Sequence, residues 1–244
     1  MIRVRFRRRR AGAADGFTLV ELLVVIIVVG VLASLLLPVM GRAKILARQV
    51  ECAGRVRQWT LAQTLYAVDN DDRISRESFE PNGVSLNTWG EVTHPFARDV
   101  WYNALAVQMG VTRAAEYGLR SARPGFYGRA RIFHCPQAPF PRQRLEDPSV
   151  FFSLAMNSKL IMWPHATVRI TQVRSPSVTV AFLEKRLKDD APAAPGQASD
   201  QLGQPSTYAN RFAARHRGRD NLAYMDGHFE TRRGPEIITN GLAY

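Results

Sequence analysis

Residues 17–40 are apolar, small or uncharged, with one exception, Glu21. A helix over these 24 residues, at ~1.5 Å each, runs ~36 Å and crosses a ~30 Å hydrocarbon core with some tilt. Gly30 and Pro38 fall inside the run. Proline removes one helix hydrogen bond and loosens the helix nearby, which membrane helices tolerate. Beyond Gly41 the pattern becomes a helical stripe. Ile45, Cys52, Val56, Trp59, Gln63 and Tyr66 recur at helical spacing and predict one largely apolar face. Arg42, Arg48, Arg55 and Arg57 are assigned to the other face. The polar run DNDDR at 69–73 ends the helix, and a loop, FEPNGVSLNTWG, follows.

The remainder predicts mixed α and β. Phe96, Val100, Trp101, Leu105 and Met109 predict a helix within 95–110. ARIFHC, SVFFSLAMNS and SVTVAFLE are apolar and rich in β-formers, and read as strands. Residues 188–207 are rich in Pro, Ala, Gly, Asp and Gln and read as a long loop. NLAYMDGHFE predicts a hairpin, with strands at 221–225 and 228–231 joined at Asp226-Gly227, where glycine supplies φ > 0.

Charge refines this picture at the N-terminus. Residues 1–16 hold six arginines and one acid, so +5 of the net +12 lies ahead of the apolar run. That asymmetry places residues 1–16 in the cytoplasm and the C-terminal bulk across the membrane, although Arg42, Lys44 and Arg48 weaken the bias. The apolar run exceeds that of a secretory signal, and no clear small-x-small cleavage site follows it. The two cysteines, Cys52 and Cys135, are too few for a disulfide scaffold or a cysteine-rich zinc site. They are either one bridge or two unpaired thiols.

GFTLVELLVVIIVVGVLASLLLP resembles the N-terminus of type IV pilins and type II secretion pseudopilins, through Gly16, Phe17, Thr18, Leu19, Glu21 and an apolar run that includes Pro38. The resemblance implies that prepilin peptidase cuts between Gly16 and Phe17 and methylates the new Phe17 amine. It implies an α+β, pilin-like fold in four parts. Residues 1–16 are a basic leader that is removed, and 17–40 are the transmembrane half of a long helix. Residues 41–70 are its amphipathic half, and 71–244 a head with an antiparallel sheet. A carboxylate in hydrocarbon costs ~3 kcal/mol on insertion scales. Glu21 either sits at headgroup level or, in a filament, meets the Phe17 amine of a neighbouring subunit. Pro38 is assigned to helix bending during assembly.

The stretch ECAGRVRQWTLAQTLYAVDNDDRIS is similar to prepilin-signal proteins of planctomycetes and verrucomicrobia, through Cys52, Val56, Arg57, Gln58, Tyr66, Ala67, Asp69 and Asn70. That group carries an aromatic-x-Cys-Pro segment, here IFHCPQAP with Cys135. It also carries a C-terminal His-x9-Asp-Gly motif, here His216, Asp226 and Gly227. The resemblance implies a Cys52–Cys135 disulfide tying head to helix. His216, Asp226 and His228 are weak metal candidates, read first as hairpin structure. Some major pseudopilins bind calcium in an acidic C-terminal loop. Asp189, Asp190 and Asp200 are acidic here, but their spacing fits no calcium motif.

No HExxH, glycine-rich phosphate loop or nucleophile–His–Asp order appears, so no enzyme is expected. The expected protein is a single-pass inner-membrane subunit with a periplasmic head. Its partners are prepilin peptidase, other pilins or pseudopilins, an assembly platform and, before assembly, lipid. The arginine-rich head leaves a DNA- or surface-binding pilin as the alternative, and a membrane-anchored metal-dependent enzyme as a remote one.

Overall fold

In the computed structural model, the described residues are 17–79, 88–128, 131–139, 148–160, 168–187, 189–192, 204–207 and 211–234. They contain four α-helices, α1 (Leu19–Asp69), α2 (Trp89–Val92), α3 (Trp101–Gln108) and α4 (Arg123–Gly128), and five strands. The strands are β1 (Leu154–Asn157), β2 (Val180–Glu184), β3 (Ser206–Thr207), β4 (Arg219–Tyr224) and β5 (Phe229–Arg233). The architecture is the expected α+β class: a long N-terminal helix with a sheet in the C-terminal part. The chain divides into two compact units, Met1–Lys44 and Ile45–Tyr244.

In the first unit, every described residue is exposed. The apolar side chains of α1 from Leu19 to Met40 are exposed among the described residues; Leu19 is 87% exposed. Pro38 lies within α1 and lacks the N–H that would reach the carbonyl of Ser34.

In the second unit α1 becomes a core element. Cys52, Ala53, Arg55, Val56, Trp59, Thr60, Ala62, Gln63 and Ala67 are buried. The predicted stripe holds at Cys52, Val56, Trp59 and Gln63. It does not hold at Ile45, which is 42% exposed. Arg55 departs from its assigned polar face. Its aliphatic stem is covered while its guanidinium donates to the backbone carbonyl of His134 and pairs with Glu51. The helix stops where Asp71 and Asp72 adopt φ of 55° and 66°, a left-handed conformation that short polar side chains tolerate.

The sheet runs β3-β1-β2-β4-β5. All pairings are antiparallel except β1 with β3, which is parallel, so the sheet is mixed rather than purely antiparallel. The cause is connectivity: β3 comes from 188–207, read from sequence as loop, and adds only two residues beside Met156 and Asn157. The central strands β1 and β2 are buried along their whole length, whereas the edge strand β5 is largely half-exposed. Leu154, Met156, Phe182 and Ala223 join the cluster that contains Trp59. Leu183, Leu222, Tyr224 and Phe212 form a smaller one. The expected strand ARIFHC is instead a 3-10 turn at Arg131–Phe133. That turn lets the carbonyl of Ile132 accept the Trp59 indole N–H at 2.8 Å. The helix expected at 95–110 is a 3-10 turn at Pro95–Ala97 followed by α3.

Trp59 is the centre of this core. Its ring meets Trp101 edge-on at 4.7 Å and Phe133 at 5.3 Å, with Phe182 at 6.3 Å. Trp59→Ala therefore loses apolar burial, aromatic contacts and a buried hydrogen bond together. The expected cost is about 3–5 kcal/mol. Denaturant unfolding of the detergent-solubilised chain, followed by far-UV circular dichroism, measures it.

Candidate functional site

Three places carry the residues singled out from the sequence. The first is the start of α1. Gly16 and the leader 1–16 lie outside the described residues. Phe17 is exposed. Thr18 and Glu21 form reciprocal bonds. The Thr18 backbone N–H and hydroxyl donate to Glu21 Oε2 at 2.9 and 2.7 Å, and the Glu21 N–H donates to Thr18 Oγ1 at 3.2 Å. This is a capping box, in which an N-cap threonine and a glutamate three residues on satisfy helix-start amides. Glu21 thus has a local role that the Thr-x-x-Glu spacing announces and that the sequence reading passed over.

The second place is the C-terminal hairpin. β4 and β5 pair from Arg219↔Arg233 to Ala223↔Phe229, close to the predicted limits. Gly227 takes φ of 89°, where an L side chain is strained. Asp226 Oδ1 accepts the backbone N–H of His228 at 3.1 Å and pairs with the His228 ring. Both side chains are over a third exposed. His216, by contrast, is buried and faces elsewhere, so the three weak metal candidates divide between a surface turn and the core.

The third place is where His216 points. Its Nε2 lies 2.9 and 3.0 Å from the two carboxylate oxygens of Glu184 and 3.6 Å from Cys135 Sγ. Cys52 completes the group. One ligating atom from each of Cys52, Cys135, Glu184 and His216 lies within 4.8 Å of all the others, and all four residues are buried. The two cysteines are side by side as free thiols.

Separate segments deliver these atoms. Cys52 comes from the packed face of α1, one turn before Val56 and two before Trp59. Cys135 follows the 3-10 turn; its backbone N–H donates to Ser153 Oγ at 2.6 Å, and its sulfur accepts the N–H of Gln137 at 3.4 Å. Glu184 ends β2. His216 sits in the turn before β4, where Arg217 and Gly218 both adopt positive φ. Asn221 on β4 donates to Glu184 Oε1, and Thr231 on β5 donates to Asn221 Oδ1 at 2.7 Å. The His motif and the hairpin therefore position the cluster jointly.

A buried guanidinium balances the carboxylate. Arg215 Nη1 is 3.7 Å from Glu184 Oε2, its Nε donates to Asp190 Oδ1 at 2.9 Å, and its Nη2 donates to the carbonyl of Lys185 at 2.6 Å. Asp190 also accepts the N–H of Leu187 at 2.7 Å. Its carboxylate is thus committed to the fold. Asp189 is exposed, and Asp200, the third acid weighed for calcium, lies outside the described residues.

The protonation states reflect this crowding. Burial pushes the His216 imidazole down, but bonds with Cys135 and Glu184 outweigh it and hold the group up at about 9. Burial acts upward on Glu184, yet His216 and Arg215 keep it below the usual carboxylate range. Burial, then contact with Cys135, drives the Cys52 thiol well up. Cys135 is also raised by burial, but its contacts with Cys52 and His216 bring it down to about 7. Burial and the charge of Glu184 raise the Asp220 carboxyl.

Residues 13–37 match the family model for the prokaryotic N-terminal methylation motif. This supports a type IV pilin-like protein. Such a motif implies processing by prepilin peptidase and assembly with other pilin subunits, and the apolar N-terminal helix fits a single-pass membrane anchor. Neither a curated protein nor a solved structure matches the chain.

Glu184 is the residue of the cluster that the sequence reading missed. No motif marks it, because it is brought to Cys52, Cys135 and His216 only by strand pairing. Glu184→Ala removes the buried counter-charge of His216 and one of the two carboxylates beside Arg215, which keeps Asp190. It is expected to destabilise the fold by about 3–5 kcal/mol, and denaturant unfolding checks this. Glu184→Gln restores the bond to Asn221 but not the charge, and is expected to recover only part of the loss.

Proposed function

We propose that this chain is a pseudopilin or minor pilin, cut by prepilin peptidase after Gly16, N-methylated at Phe17 and assembled into a type II secretion or type IV pilus-like filament. The observation that carries the reading is the methylation motif at residues 13–37, set on a helix whose apolar side chains from Leu19 to Met40 are exposed among the described residues. Such a surface is covered by lipid before assembly and by parallel helices of other subunits afterwards. The subunit waits as a membrane-anchored monomer with its head on the periplasmic side, and an assembly platform extrudes it. Pro38 loosens the helix as it leaves the bilayer. The function is mechanical rather than catalytic.

Glu21 serves both stages. In the monomer it caps its own helix start through Thr18. In the filament it also receives the Phe17 amine of the neighbouring subunit. The pair neutralises two charges in an apolar core and sets axial register. The two roles separate by substitution, because glutamine can serve in a capping box but carries no charge.

Co-expression with a prepilin peptidase, followed by mass spectrometry, is expected to give a mature chain beginning at N-methyl-Phe17. A chain retaining Met1, or one cut beyond the apolar run, would refute the reading. Glu21→Gln and Glu21→Ala are both expected to be processed and both to fail in assembly, scored by sheared-filament yield. If Glu21→Gln assembles like the wild type, the cap rather than the charge is what the filament needs.

A further inference from the structure

We propose that Cys52, Cys135, Glu184 and His216 form a structural zinc site that fastens α1 to the sheet. This inference does not depend on the filament reading. It concerns the unit Ile45–Tyr244 alone, and no ligand of the site belongs to the N-terminal motif.

The donor set suits zinc. Two sulfurs and an imidazole favour a thiophilic ion over calcium or magnesium, and a carboxylate oxygen completes a four-ligand shell. The spacing also suits it. Zinc with ligands at ~2.0–2.3 Å in a tetrahedron holds its donor atoms about 3.3–3.8 Å apart. Here Cys135 Sγ and His216 Nε2 are 3.6 Å apart, His216 Nε2 and Glu184 Oε1 are 2.9 Å apart, and no pair of ligating atoms exceeds 4.8 Å. His216 Nε2 and Glu184 Oε1 part by about 0.4 Å to reach that spacing, and no pair lies more than about 1 Å beyond it. The surroundings are those of a built site. The four residues are between 0 and 2% exposed, and His216 presents Nε2 to both Cys135 and Glu184. The N–H of Gln137 points at the Cys135 sulfur, as an outer-shell donor to a thiolate would. Asn221 orients Glu184 in the same way.

Two thiolates, one carboxylate and a dication leave one net negative charge. The Arg215 guanidinium lies 3.7 Å from Glu184 and divides its charge between that carboxylate and Asp190. On binding, the metal displaces the protons of both thiols, and His216 gives up any proton on Nε2. All are released to solvent, and the four donors then bond to the ion. A fully closed shell of protein ligands, with no open position, is the mark of a structural rather than a catalytic zinc. Sealed in this way, the two thiols are not available to join as a disulfide.

The test uses the full chain, extracted in mild detergent and kept anaerobic. Elemental analysis is expected to find zinc at about one ion per chain, in line with the single four-ligand shell. Exchange with Co(II) is expected to give thiolate-to-cobalt absorption in the near ultraviolet and intense tetrahedral d–d bands. His216→Asn is expected to weaken cobalt binding by more than the ~10–100-fold that follows loss of an outer-shell partner alone. His216→Cys, which restores a ligand, is expected to retain the metal. If neither variant folds, the wild-type cobalt spectrum alone decides. A metal-free chain that gives no cobalt–thiolate bands overturns the proposal, whether its thiols are free or joined as a Cys52–Cys135 disulfide.

Discussion

The head depends on the seam between the second half of α1 and the sheet. A helix stripe is apolar but featureless; something must fix its register against the strands. Trp59 does so by geometry. Its ring is walled by Trp101, Phe133 and Phe182, and its one polar atom is satisfied by the carbonyl of Ile132. Sliding or rotating the helix by one position would strand the indole N–H in an apolar interior, at a cost of about 1–3 kcal/mol before any loss of packing. Two turns earlier on the same face, Cys52 enters the polar cluster under the sheet. The seam is thus pinned at two points by different physics, aromatic fit at one and electrostatics at the other.

The polar pin is the more demanding. Burying Glu184 with Arg215 and His216 costs several kcal/mol per ion in desolvation, and the attraction between them repays this only when every partner is in place. Here partners arrive from α1, the segment after the 3-10 turn, β2, the turn before β4, β4 and β5. None of them is close in sequence to all the others. Such a cluster rewards only the complete fold, so it contributes specificity even where its net stabilisation is small. A zinc ion in the shell would sharpen that further, because a metal tolerates far less displacement of its ligands than an ion pair does.

What the sequence disclosed follows the range of each interaction. Periodicity and turn chemistry are local, and they predicted the long helix, the two central strands and the Asp226-Gly227 hairpin. Thr18 and Glu21 are also local, and their capping box is readable in the Thr-x-x-Glu spacing. Arg55 misled because its polarity suggested solvent, while its long stem allowed burial with the guanidinium on the His134 carbonyl. ARIFHC misled because its β-formers pack as well on a 3-10 turn as on a strand. Glu184 was invisible. A glutamate ending an apolar strand reads as a strand terminus, and only pairing of β2 with β4 and docking of α1 reveal what it faces.

The N-terminal motif and the His-x9-Asp-Gly motif therefore describe two different constraints. The first concerns apolar surface that the described residues leave exposed. From Leu19 to Met40 the side chains are exposed along α1, and the same residues that make the segment compatible with lipid make it compatible with other apolar helices. The second concerns polarity that one chain must bury. His216 is held by positive-φ residues after it, and Asp226-Gly227 closes the hairpin that brings Asn221 and Thr231 behind Glu184. The nine-residue spacing is then the length of chain needed to leave the turn, run β4 past Glu184 and reach the next turn. Read in this way the motif needs no ligand at Asp226. Its aspartate shapes the turn, its glycine supplies the backbone angle, and its histidine is the only member that reaches the chemistry.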